Sequence, residues 1–179
     1  MHQIGRFQRQ SQATGQAMGQ GWLPYTLIMM SSPLSSLPTP SPMARVLGFA
    51  GLLPFVAGAA ALSALNWPGL QLWAGTALVA YGALIASFLG GIHWGLAMQG
   101  TAPVTVRLGW GVFPSLVAWA AVLLPIDAGL SLLAGLLVLC YAIDRRLYAS
   151  AGLSGWLGLR LQLSSVAVVS CLVGAWAAH

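Results

Sequence analysis

The chain has no lysine, only two acidic residues and only two cysteines, and each shortage excludes a class of protein. Charged residues make up 5% of its 179 residues. A soluble domain carries about 25%, because a water-facing surface needs them. With 58% hydrophobic residues, the exterior must face lipid instead. Cys140 and Cys171 both lie inside apolar runs, at different depths and without redox-motif spacing, so no disulfide framework is expected. Each reads as a small buried hydrophobe. Also missing are GxSxG, HExxH, Walker A, GxGxxG and CxxC patterns and paired intramembrane acids. Enzyme chemistry therefore has no identifiable nucleophile and base, and neither a cofactor nor a metal site is expected.

What the chain does have is arginine, and its placement is informative. Arg6, Arg9, Arg45, Arg107, Arg145, Arg146 and Arg160 stand between or at the ends of five long apolar stretches. Threading those stretches alternately through a bilayer leaves every arginine on the starting side. The positive-inside rule then orients the chain with its N-terminus inside and its C-terminus outside. Nucleic-acid binding would gather the arginines into a groove or patch, so no nucleic-acid partner is expected. The reading is an all-α bundle of five transmembrane helices in a bacterial inner membrane. A mitochondrial inner membrane is the alternative, with the matrix in place of the cytoplasm. The bilayer is the first partner, with an anionic lipid at the inner face or another membrane protein as further candidates.

The spans are expected at about 44–65, 70–98, 107–124, 128–143 and 161–178. The second is longer than the roughly 20 residues a bilayer requires, so it must tilt, project or break at Gly90-Gly91. The last two only just cross. Residues 1–43 are rich in Gln, Ser, Gly and Pro and contain no acid. They read as a disordered tail, or as sequence upstream of a true start at Met43, in preference to a secretory or transit peptide. Trp67, Trp73, Trp94, Trp110, Trp156 and Trp176 fall near span ends, as interfacial aromatics do. A faint repeat relates Arg45-x-Leu47-Gly48 with Pro54 to Arg107-Leu108-Gly109 with Pro114. Both prolines free a carbonyl one turn back, at Ala50 and Trp110.

Two stretches are candidates for function. In the second span, small residues recur every fourth position on adjacent stripes, Ala83, Ser87, Gly91, Gly95 and Gly82, Ala86, Gly90. That spacing keeps each stripe on one helix face and lets a neighbouring helix approach closely. The same span carries His93, about 35 Å along it at 1.5 Å per residue, and thus at the inner interface. Zinc would need three or four ligands, and no second ligand pair stands at the right spacing. The other stretch is Asp144-Arg145-Arg146. With Arg107 and Arg160 it forms a basic inner collar around His93 and Asp144 that would suit an anionic headgroup. Stopping translocation explains the same arginines equally well. An acid at a span end needs a partner, for which Arg107 and His93 are the candidates. The region of Arg160, Tyr148, Leu153, Trp156 and Leu157 reads as a short interfacial amphipathic segment.

Arg45-x-Leu47-Gly48, Gly51-Leu52-Leu53-Pro54-Phe55, Ser87-Phe88-Leu89-Gly90-Gly91-Ile92-His93-Trp94-Gly95, Pro114-Ser115-Leu116 and Asp144-Arg145 together carry a resemblance. Over residues 44–178 the chain resembles the membrane-protein family of domain of unknown function 3429, which includes the animal transmembrane protein 69. The phrase Phe-Leu-Gly-Gly-Ile-His-Trp-Gly is its most specific part. The resemblance implies several membrane spans and no assigned activity. Two functions from different classes follow from these residues. One is a non-enzymatic assembly or scaffold partner using the small-residue face. The other is a small transporter or anionic-lipid-handling protein using His93, Asp144 and the arginines.

Overall fold

The computed structural model describes residues 39–179, and these form an all-helical bundle. Residues 1–38 of the expected tail lie outside the described residues, whereas Met43, the alternative start, lies within them. The helices are α1 (Pro42–Ala50), α2 (Leu53–Ala64), α3 (Pro68–Met98), α4 (Val104–Val122), α5 (Ile126–Ser150) and α6 (Leu157–Ala177). A 3₁₀ turn, Ser154–Trp156, leads into α6. Grouped by length and apolarity, they make five segments able to cross a membrane, the first formed by α1 and α2 together.

Local chemistry sets the boundaries. Ser41 caps α1 by accepting the Ala44 amide at 3.2 Å, with Pro42 in the first turn, where its missing N–H costs nothing. The first span is broken rather than merely kinked. After Ala50 the chain turns through Gly51-Leu52, and Pro54 falls in the first turn of α2. The Gly51 carbonyl released there accepts a hydrogen bond from the Tyr81 hydroxyl of α3 at 2.7 Å. Pro114, by contrast, is buried within a continuous α4. The two segments of the faint repeat therefore differ in backbone course.

Of the alternatives open for the second span, a break at Gly90-Gly91 does not occur, for α3 runs unbroken for 31 residues. Two expected boundaries are corrected. The fourth span does not stop at Ile143, for α5 continues to Ser150 and carries Asp144, Arg145 and Arg146 within it. The fifth begins near Leu157, so Arg160 lies inside α6 rather than on an interfacial segment, and Tyr148 is buried in α5. Charges normally mark the end of an apolar helix. Here Asp144 and Arg160 meet each other, and the helices run past them.

Alternate threading brings Arg45, Arg107, Arg145, Arg146 and Arg160 to one end of the bundle, the end that holds the 99–103 and 151–153 connections. The apolar core lies between the ends. Phe55 and Leu62 of α2, Leu78 and Leu89 of α3, and Leu130, Leu133 and Leu137 of α5 meet Ala167 and Cys171 of α6. Glycine allows two backbones to touch where α3 crosses α4. A Cβ on Gly90 would collide with the Gly111 carbonyl, and one on Gly111 would lie 3.0 Å from the Gly90 carbonyl oxygen. Both cysteines are buried and free.

Candidate functional site

At the arginine-bearing end, four buried side chains from four helices join in one network. His93, five residues before the end of α3, is 0% exposed, as is Arg107 in the first turn of α4. Asp144 of α5 and Arg160 of α6 are 2% and 9% exposed. His93 Nε2 lies 2.8 Å from Asp144 Oδ1. The other carboxylate oxygen accepts from Arg160 through both Nε, at 2.9 Å, and Nη2. Arg107 Nη1 approaches His93 Nδ1 at 3.4 Å. A guanidinium can only donate, so Nδ1 must accept and Nε2 must carry the proton. The contact with Arg107 thereby selects one tautomer. The imidazole links a charged arginine on one side to a carboxylate on the other.

Arg107 has a second task. Its Nη2 donates to the Leu147 carbonyl at 2.6 Å and to Ser150 Oγ at 2.9 Å, and its Nε to the Ala102 carbonyl at 3.4 Å. Leu147 and Ser150 belong to the last turn of α5. A helix C-terminus leaves carbonyls unpaired and carries partial negative charge, so a guanidinium there satisfies both needs. At the N-terminus of its own helix the same charge would be unfavourable. The α5 terminus accounts for Arg107 being buried whole.

Sequence reading placed six polar residues in one collar, and the structure divides them. His93, Arg107, Asp144 and Arg160 come together. Arg145 and Arg146, next to Asp144 in sequence, point outward and are exposed. A helix turns 100° per residue, so consecutive positions cannot share a face. The small-residue stripes divide as well. Gly82, Ala86 and Gly90 are buried against neighbouring helices, with Ala83 and Ser87 partly so. Gly91 and Gly95 are exposed, and a Cβ on either would meet nothing within 4 Å. Trp94, expected at the interface, lies across α4 and donates its indole N–H to the Leu108 carbonyl at 3.0 Å.

Sequence reasoning missed Ser150 and Ser164. Ser164, 7% exposed, has a hydroxyl without a hydrogen-bond partner among the described residues, and so has the buried indole N–H of Trp156. Ser164 is one of several serines in an apolar helix, and nothing in its sequence context distinguishes it.

Five apolar spans around a buried ionic cluster define a polytopic membrane protein of the helical-bundle class. A family model described as "Protein of unknown function (DUF3429)" matches residues 40–176, and the chain belongs to that family. It is also similar to "Transmembrane protein 69" of Xenopus tropicalis, 39% identical over 85 residues. That match covers 45% of this chain and 32% of the relative, so the chain spans about a third of the relative's length. No solved structure matches.

Proposed function

We propose that the protein is a non-enzymatic assembly partner in the membrane, docking another membrane protein along the outward small-residue stripe of α3. The observation that carries this is the open space beside Gly91 and Gly95. A glycine inside a helix costs about 1 kcal/mol relative to alanine. Gly82 and Gly90 offset that cost by close packing inside the bundle, but a glycine facing lipid recovers nothing. Close approach of a helix from another protein would recover it. The His93 network fixes α3 beside the same stripe and so presents a rigid surface.

Gly91→Leu tests the reading. The variant should insert normally and melt like the parent, yet lose its partner on purification in mild detergent. Survival of the association would remove this face as the contact.

A second reading, a small transporter or anionic-lipid-handling protein, has support from charge. The buried network holds two guanidinium groups against one carboxylate, and Arg145 and Arg146 lie exposed nearby. An anionic lipid seen by native mass spectrometry should then disappear when Arg145→Gln and Arg146→Gln are combined. Its retention would count against this reading. In both readings the arginine-bearing end faces the cytoplasm of a bacterial inner membrane, or the matrix of a mitochondrial one.

A further inference from the structure

Beside the ionic network, a cavity of about 360 Å³ opens between the first span, α3, α5 and α6. Its few polar side chains lie toward one end, while apolar residues line its whole length. Tyr148, Trp156 and Arg160 line it near the arginine-bearing end, with Ser164 one turn further in. Beyond them the wall is apolar, formed by residues such as Phe55, Ile85, Leu137 and Ala167. From Trp156 to Ala167 the cavity follows α6 for roughly 16 Å at 1.5 Å per residue. The break at Gly51-Leu52 contributes to its opposite wall.

Two groups in this cavity are anomalous. The Trp156 indole N–H and the Ser164 hydroxyl are buried without a partner among the described residues. Burying a polar group without a hydrogen bond is costly, and native proteins rarely leave one so. Here the two stand about one turn before and one turn after Arg160 along the wall of a single cavity. An indole N–H can only donate, so the missing partner must accept. The adjoining network carries more guanidinium than carboxylate, which favours an acceptor with negative charge.

We propose that this cavity binds a single-chain lipid with an oxyanion head, the head accepting from Trp156 and Ser164 and the chain running inward past Phe55 and Ala167. Size supports one chain over two. The cavity lies near the lower end of the usual range for ligand sites. A carboxylate and a phosphate head share the required chemistry. The site is separate from the α3 stripe and does not use Arg145 or Arg146.

The test uses the full chain in nanodiscs of phosphatidylcholine, titrated in separate arms with palmitate, lysophosphatidic acid and hexadecanol, with bound ligand counted and melting followed. Saturable binding of one palmitate or one lysophosphatidic acid per chain is expected, and the preferred arm identifies the head. Ser164→Val should weaken that binding about tenfold or more, as loss of a hydrogen bond to a charged group does. Without ligand it should melt at or above the parent, because it removes an orphaned hydroxyl. Trp156→Phe should weaken binding similarly, and should it misfold, Ser164→Val alone decides. Non-saturable uptake, hexadecanol binding as tightly as the anions, or unchanged binding in Ser164→Val would each overturn the proposal.

Discussion

Asp144 ties three helices together, because both of its oxygens are committed and its partners come from α3 and α6. Removing it would leave a buried guanidinium without its counter-charge, a loss of about 3–5 kcal/mol. Asp144→Ala should therefore lose about that much stability in equilibrium unfolding from mixed micelles. Asp127→Ala, at the opposite end and only loosely paired with exposed His179, should change it by about 0.5 kcal/mol or less. Part of the loss should return when Arg160→Leu is added, since the pair is then absent together. Equal unfolding midpoints for Asp144→Ala and Asp127→Ala would show that the network carries no stability. The need of Asp144 for a partner was legible from one acid at a helix end among apolar residues. Arg160 as that partner was not, since an arginine sixteen positions later reads equally well as a topological signal.

Helix α3 shows what periodicity reveals and what it leaves open. The two stripes were visible as repeats of four, but repeats do not say which face meets a neighbour inside the same chain. Gly90 faces Gly111, whereas Gly91, one position on, faces outward. Their substitutions should diverge accordingly. Gly90→Ala forces backbone apart at the α3–α4 crossing and Gly111→Ala drives its methyl into the Trp94 indole, so each should cost about 1–3 kcal/mol in the same unfolding assay. Gly91→Ala should be neutral or gain up to about 1 kcal/mol from helix propensity. If Gly90→Ala unfolded at the parent midpoint, the close crossing would be refuted. The ends of α5 and α6 were the least legible part. Charge is ordinarily a stop signal, and only the tertiary pairing of Asp144 with Arg160 explains helices that continue through it.

For the molecule as a whole, one end of the bundle holds every described arginine, while Asp127 and His179 mark the other. A reporter fused after His179 and one inserted after Gly152 should accordingly report opposite compartments, with the Gly152 site on the cytoplasmic or matrix side. The same compartment for both would break the five-span map. The ionic network also has a temporal consequence. Its members lie at positions 93, 107, 144 and 160, so during synthesis the carboxylate emerges before the guanidinium that grips it in a two-pronged fashion. A nascent chain halted between them has an acid to lodge in the membrane with only His93 to hold it. The final hairpin therefore gains most by entering as a unit, and the bundle closes only when the last helix arrives.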